Sequence, residues 1–388
     1  MTGATGFKGA WLCEWLLLLG AEVTGFSLPE PVSTPCLFDQ LGLSNRIHDI
    51  RGDIRDVAGL RDAMLAASPD FVFHLAAQPL VRRSYREPVE TWQTNVLGTI
   101  HLLEALRAAA QRRVDGSLLP VASSTQSINN QEQSTNNQQP TTTPLAAVLA
   151  TTDKCYENRE WFHGYREEDA LGGYDPYSSS KAACEIAIDS WRRSFLTQNP
   201  AEFARPLRVA SARAGNVIGG GDWAEDRIVP DIIRALRKGQ PIPVRNKTAT
   251  RPWQHVLEPL SGYLLLASHL VNPSEALAST IQTARQSAAS FNFGPNLDSN
   301  HTVATLVQKA LSHWPGEWED CSDPHAPHEA GKLNLATDKA FHLLGWRPRW
   351  DFPTTIEKTI EWYQYIERGA DAASLTLSQI QKYSEYDL

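Results

Sequence analysis

Apolar and polar positions along this chain fall into blocks that read in turn as helices and strands. Near the start, Ala10–Leu19 is a helical apolar stretch that stops at Gly20, a residue suited to a helix C-terminus. Glu22–Phe26 follows as a short strand. Phe71–Leu75 (FVFHL) and Leu145–Ala150 (LAAVLA) are almost unbroken apolar runs. A strand covered on both faces shows such a run in place of alternation, which points to a parallel sheet. Val89–Ala110, between them, reads as a helix. Strands alternating with helices predict an α/β fold, a Rossmann-type doubly wound parallel sheet. The run Trp11–Leu19 has the apolar character of a signal-peptide core, but Glu14 interrupts it and no clean cleavage site follows. It is also too short to span a bilayer, so a buried helix is expected and no membrane partner.

Three features break the pattern. Ala110–Pro144 contains SSTQSINNQEQSTNNQQPTTTP, a polar tract that cannot bury enough apolar surface to fold; it reads as a disordered surface insertion. Ser274–Ser290 reads as a second, milder insertion. The third feature lies at the start. Gly3, Gly6 and Gly9 form the G-x-x-G-x-x-G turn of a dinucleotide site, and that turn needs a strand before it. Only Met1 and Thr2 precede Gly3, so the first strand is expected to be truncated, which means either a start further upstream or a compromised protein. The expected division is a Rossmann lobe at 1–205, carrying the polar tract at about 111–144. A smaller lobe at 206–388 would bind substrate and be interleaved with the last Rossmann elements.

Composition narrows the classes. The chain has 388 residues, 42% hydrophobic and 21% charged, as a soluble globular protein does. A formal net charge of -8 leaves no basic surplus to neutralise phosphates, which argues against a nucleic-acid partner. The five cysteines are scattered and lack a C-x-x-C pair, so free thiols and a cytoplasmic location are expected, with no metal.

The glycines of the turn let backbone approach a pyrophosphate at a helix N-terminus, where free N–H groups and the helix dipole favour negative charge. Downstream, Asp53 in the Gly52-Asp53 pair is either an acceptor for an adenine amino group or a plain loop aspartate. Where many NAD proteins carry an acid at the end of the second strand, this chain has Ser27, with Glu30 a little later. A sharper signal is Tyr177-Ser-Ser-Ser-Lys181 behind Asp175-Pro176, a strong helix start. Tyr177 and Lys181 then share one helix face. A phenol is a poor base at neutral pH unless an ammonium and a positive nicotinamide draw its pKa down. Thr151-Thr152-Asp153-Lys154 stands at the end of a buried strand, where an open α/β sheet puts its site. Each motif alone is weak; a surface helix pair beside an unrelated strand-end turn becomes improbable when both occur together.

At this point the chain resembles a family. GATGFKGAWL, HLAAQPLVRRSY, TNVLGT, TTDKCYENREW, DPYSSSKAACE, ARAGNVIGGGDWAEDRIVPD and RPWQHVLEPLSGYLLLA are similar to CDP-glucose 4,6-dehydratases. These are NAD-dependent members of the extended short-chain dehydrogenase/reductase (epimerase/dehydratase) family. PHEA and LGWRPRW extend the likeness towards the C-terminus. The Asp153-Lys154 pair resembles the CDP-sugar branch, whose dTDP- and GDP-sugar relatives generally carry two carboxylates there. The resemblance implies CDP-glucose as substrate, tightly held NAD and a homodimer.

It also implies roles. Tyr177 would take a proton from the sugar C4 hydroxyl, Lys181 would hold the nicotinamide ribose, and Thr152 would bond the C4 oxygen. Asp153 would be the acid for loss of water across C5 and C6. Lys154, where relatives place a carboxylate base, would abstract the C5 proton or position a water. Around the cofactor the resemblance implies Gly3, Gly6, Phe7, Gly9, Asp53, Ile54, Ala76, Ala77, Gln78, Asn95, Tyr177 and Lys181. Asn216, Arg227 and Arg251 match positions beside the sugar-nucleotide diphosphate, with His328 and Glu329 towards the nucleotide. Trp161 and Trp253 are expected to pack. The competing readings are another nucleotide-sugar epimerase or dehydratase, such as a UDP-hexose 4-epimerase that needs no acid–base pair, and a non-catalytic remnant without its first strand.

Overall fold

The computed structural model describes residues 1–114, 144–196, 207–282, 289–323 and 331–385. Its first half alternates as the apolar pattern predicts. In chain order come α1 (Phe7–Leu18), β1 (Thr24–Ser27), β2 (His48–Arg51), α2 (Val57–Ala67) and β3 (Phe71–His74). They are followed by α3 (Pro88–Trp92), a π-helical turn at Gln93–Leu97, α4 (Gly98–Val114) and β4 (Leu145–Ala150). Then come α5 (Pro176–Trp191), β5 (Leu207–Ala214) and, much later, β6 (Ser290–Phe293). All pairings among these strands are parallel: β1 with β2, and β3, β4, β5 and β6 in that order.

The two halves of the sheet meet at Met1–Thr2, which stand where a first strand would run. Thr2 bridges Phe26 on one side and His74 on the other. Phe26 N–H donates to the Met1 carbonyl (2.8 Å) and Gly3 N–H to that of Phe26 (2.9 Å). Thr2 N–H donates to Phe73 (3.0 Å) and Leu75 N–H to Thr2 (3.1 Å). The carboxyl end of this strand, from which the glycine turn springs, is hydrogen-bonded on both sides. The turn has its platform.

Both faces of the sheet are covered, which is why its strands read as continuous apolar runs. Ala146 and Val148 of β4 face a core shared with Trp11 and Leu12 of α1 and with the helices Leu257–Val271 and Phe352–Glu367. Leu145, Ala147 and Leu149 face the opposite core, among Leu60 and Met64 of α2 and Leu102 and Leu106 of α4. The helix expected at Val89–Ala110 is interrupted by the π turn and runs on to Val114. Gln111–Val114 thus belong to α4, not to the polar tract, and Arg113 reaches across to Asp70 (2.9 Å). The rest of that tract, 115–143, lies outside the described residues.

The second proposed insertion carries regular structure in part. Within Ser274–Ser290 a helix covers Glu275–Gln282, and Ser290 opens β6. The chain beyond β5 also forms short strand pairs. Ile242–Val244 pairs with Trp318–Asp320, and Thr250–Pro252 with Asn300–Thr302. Arg251 of the second pair, the stretch from Arg245 to Ala249 and the loop after β5 wall the space beyond the carboxyl edge of the sheet.

Candidate active site

That space is a single cavity of about 1170 Å³. Pockets for one small ligand run roughly 300–1,000 Å³, so it has room for more than one. Its floor is the glycine turn. Gly3 has φ +75°, and a Cβ there would stand 2.6 Å from the Ala76 nitrogen, while one on Gly9 would collide with the Gly3 carbonyl. Both positions therefore require glycine so that α1 can start directly above the sheet. The first turn of α1 carries no acid, which leaves its N-terminus attractive to an anion. Gly6, Phe7, Ala76, Ala77 and Gln78 line the same wall.

At one end of the cavity the Thr5 N–H donates to Ser27 Oγ (3.2 Å). Asp53 and Ile54 line this end, but Glu30 does not. The Asp53 carboxylate is held by Arg55, which donates from Nη2 (2.6 Å), Nε (2.8 Å) and the backbone (2.8 Å). That pairing keeps the Asp53 carboxyl below its usual range. Arg55 itself lines the cavity, and sequence reasoning missed it: an exposed arginine two residues after an aspartate carries no local signal.

Asn95 stands behind the cavity wall. It does not line the cavity; the π turn directs it inward, 1% exposed. There its Oδ1 accepts from Gln78 N–H (2.8 Å) and its Nδ2 donates to Ser180 Oγ (2.9 Å). It ties the strand-end loop after β3 to α5, organising the site from behind, and a π turn often serves a site in this way.

The middle of the cavity brings the reactive groups together. Asp175 caps α5, accepting from Ser178 N–H (2.9 Å) and Ser178 Oγ (2.6 Å), with Pro176 at the first helical position. Tyr177 and Lys181 then line the cavity side by side, both almost fully buried. Opposite them, β4 ends and delivers Thr152, Asp153 and Lys154. Thr152 hydroxyl donates to Asp153 Oδ1 (2.9 Å), and the Lys154 ammonium is 3.7 Å from that oxygen. Asp153 Oδ2 is buried without a hydrogen-bond partner.

Burial pushes the Tyr177 phenol well above its ordinary value, opposed by its hydrogen bond with Thr152 and by Arg227. Lys181 is drawn down by burial, against Cys184 and Glu185. The chamber thus favours the neutral phenol and makes the Lys181 charge costlier than in water, until a compensating charge is added.

On the far wall stand Asn216, Arg227, Arg251 and Trp253. Asn216 Oδ1 is buried without a partner. Arg227 pairs with Asp222 (3.3 Å), and Arg251 is buried with Nη1 on the Thr250 carbonyl (2.9 Å). Trp253 both packs and borders the cavity, donating to the His301 carbonyl (2.9 Å); Trp161 stays outside it. His328 and Glu329 lie outside the described residues. Sequence reasoning also passed over Lys8 and Arg245, which line the cavity although neither sits in a motif read for its charge.

A parallel sheet with a glycine turn at its switch point, facing a buried Tyr177–Lys181 pair, defines a short-chain dehydrogenase/reductase of the extended kind. Within that class the chain belongs to the family described as GDP-mannose 4,6 dehydratase, whose model matches residues 1–359. It is 40% identical to the CDP-glucose 4,6-dehydratase of Salmonella typhimurium, covering 99% of this chain and 95% of that protein. It is 25% identical to a probable dTDP-glucose 4,6-dehydratase of Sinorhizobium fredii, over 95% and 93%. Among solved structures, the dTDP-glucose 4,6-dehydratase DesIV of Streptomyces venezuelae shares the fold at TM-score 0.68 and 20% identity, covering 96% of this chain and 98% of that one.

Proposed function

We propose that this protein is a CDP-glucose 4,6-dehydratase, converting CDP-glucose to CDP-4-dehydro-6-deoxyglucose and water. The observation that carries the reading is Thr152–Asp153–Lys154 at the end of β4, set beside Tyr177 in one cavity. The 40% identity to the Salmonella CDP-glucose enzyme supports the choice of sugar nucleotide. A 4-epimerase needs a base at C4 but no group to expel water, and Asp153 with Lys154 has no task in it. A remnant without chemistry is disfavoured by the convergence of these side chains on one chamber.

NAD is the cofactor of this reading. Gly3, Gly6, Phe7 and Gly9 would hold its pyrophosphate, Asp53 and Ile54 would border the adenine, and Ala76, Ala77 and Gln78 the middle. Arg55 is already paired with Asp53 (2.6 Å) and Glu90 (3.5 Å), so its charge is committed, which favours NAD over a cofactor with a further phosphate. When bound, NAD supplies an electron-pair acceptor for C4 and a donor for C6, and is unchanged after a turnover.

The chain's own groups move the protons. Tyr177 accepts the proton of the C4 hydroxyl, with Lys181 and a positive nicotinamide lowering its pKa from the value burial sets. Thr152 holds the C4 oxygen. Once C4 is a ketone, the C5 proton is acidic; Lys154 takes it or orients a water that does. Asp153 gives a proton to the departing C6 hydroxyl, which leaves as water. Asn216, Arg227 and Arg251 would hold the diphosphate side, with His328 towards the nucleotide.

Two lobes, 1–205 and 206–388, fit this division of labour. A homodimer would cover the exposed apolar side chains Val89, Trp92 and Leu97 along α3–α4 and Ile186 on α5. The cysteines Cys13, Cys36, Cys155, Cys184 and Cys321 are free, which suits the cytoplasm. Among the described residues no helix is long and apolar enough to cross a membrane.

The test compares turnover of CDP-, dTDP- and UDP-glucose at equal concentration. CDP-glucose should be converted fastest. Equal or faster conversion of dTDP-glucose overturns the assignment.

A further inference from the structure

One cation in the cavity has no task in this scheme. Lys8 follows Phe7 in the first turn of α1, is half-buried and lines the cavity. The backbone of that turn serves an anion through its N–H groups. The Lys8 side chain faces other company. The charges that bear on it are Arg227 and Asp222 from the loop after β5, Asp153 after β4, and Lys181 on α5. Among the described residues its ammonium makes no hydrogen bond or ion pair, and neither Asp153 nor Asp222 reaches it.

Burial, then Arg227, brings the Lys8 pKa down to about 7. A half-buried cation near a second cation, with no acid in contact, gains from an anion that comes between them. Asp222 already accepts from Arg227, which leaves one side of that guanidinium and the whole of Lys8 for a ligand. The ligand must carry charge and several acceptor oxygens, and must lie towards the far wall of the cavity.

We propose that Lys8 is a direct ligand of the sugar-nucleotide diphosphate, gripping it from the glycine turn while Arg227 grips it from the opposite wall. The turn then serves two ligands, the dinucleotide through its backbone and the sugar nucleotide through one side chain. This rests on the nucleotide-sugar reading above. A diphosphate is also present in the dinucleotide; Lys8 and Arg227 line one cavity, and cofactor content is therefore read beside nucleotide affinity to tell the two ligands apart.

The test uses the NAD-loaded protein. Calorimetric affinities for CDP, UDP, dTDP and the phosphate-free cytidine are measured for the wild type, K8M, K8Q and K8R, together with cofactor content and melting temperature. Loss of a hydrogen bond to a charged group predicts that K8M and K8Q bind the preferred nucleoside diphosphate roughly 10–100-fold more weakly. K8R should recover most of that affinity; cytidine binding, cofactor content and melting temperature should match the wild type. Unchanged diphosphate affinity in K8Q, an equal loss for cytidine, or a loss of cofactor with nucleotide affinity intact each overturns the proposal. If the wild type prefers UDP or dTDP, the substrate assignment fails, and Lys8 is judged on that nucleotide.

Discussion

Replacing Asp153 with asparagine separates the two halves of the proposed chemistry. The carboxylate is 1% exposed, so a substitution that changes its shape would disturb packing; asparagine does not. Its oxygen can still accept from the Thr152 hydroxyl, now at 2.9 Å. The atom exchanged is Oδ2, which is buried without a hydrogen-bond partner and lies where a Cβ on Gly215 would come within 3.3 Å. Lys154 is 21% exposed, and the 3.7 Å ion pair it loses is partly screened. Stability should therefore move by about 1 kcal/mol or less. The rate should move far more. A positioned general acid is worth about 10²–10⁴-fold, or roughly 3–5 kcal/mol of barrier. Only the loss of water needs that acid, so C4 oxidation should survive. In single turnover with CDP-glucose, absorbance of reduced nicotinamide should rise at near the wild-type rate and then persist, while 4-keto-6-deoxy product forms slowly. Two results refute the reasoning: a D153N protein that never shows the reduced-cofactor signal, or one whose steady-state turnover stays within about threefold of wild type.

Tyr177→Phe should fail earlier, giving neither reduced cofactor nor product at an unchanged melting temperature; product formation above a few per cent of wild type removes Tyr177 from the role of base. A pH effect on stability is expected from Glu258, whose buried carboxyl accepts from Trp350 N–H (2.8 Å) and Tyr383 Oη (2.6 Å). Burial raises its pKa to about 7 in the folded protein. The folded state then binds the proton more tightly than the unfolded chain, so this group's contribution is complete below about pH 4.5 and is lost as pH rises through about 7. The loss is on the order of 3 kcal/mol, and urea melts from pH 5 to 8 should show a flatter dependence in Glu258→Gln. An identical slope in both proteins would show that the folded state does not perturb this carboxyl.

What the sequence made legible was whatever has a local physical signature. Leu145–Ala150 declared a buried strand because both of its faces are covered, and Asp175-Pro176 declared a helix start because its cap needs only neighbours. The Tyr177–Lys181 spacing and the glycine turn were readable for the same reason. Strand β6, which opens at Ser290 where a supposed insertion ends, went unread because Ser290 and Asn292 look like loop residues. They are buried in the sheet since Asn292 N–H donates to Glu167 (2.8 Å) and Ser290 Oγ to Glu185 (3.2 Å), partners far away in the chain. The inward setting of Asn95 was not legible, because a motif fixes a residue's neighbourhood while the π turn that rotates it leaves no mark in TNVLGT. Lys8 was overlooked because a lysine on a helix is by default a solvated one; only the cavity shows otherwise.

The same limit explains why the group that holds the site together could not be read at all. Glu185 lies one turn beyond Lys181 on α5, fully buried. Its carboxylate accepts from the Thr151 hydroxyl, from Ser211 Oγ (2.8 Å) and from Arg213 Nη2 (2.7 Å). Burial alone would raise its pKa, but Arg213 and the hydroxyls more than offset that and hold the carboxyl below its ordinary value. Arg213 goes on to Tyr156 Oη (2.8 Å), which donates to Asn292 Oδ1 (2.7 Å). A buried ion pair is weak evidence for stability, because desolvation cancels much of the attraction. Its effect here is geometric. Thr151 precedes Thr152 and Asp153, Arg213 lies just before Asn216, and Glu185 itself rides on the helix of Tyr177 and Lys181. One carboxylate therefore sets the ends of β4, β5 and β6 against α5, and with them the separation between the proposed base, the proposed acid and the start of the substrate wall. Removing either charge of such a pair typically costs about 3–5 kcal/mol by leaving the other buried alone, so these elements move together or not at all.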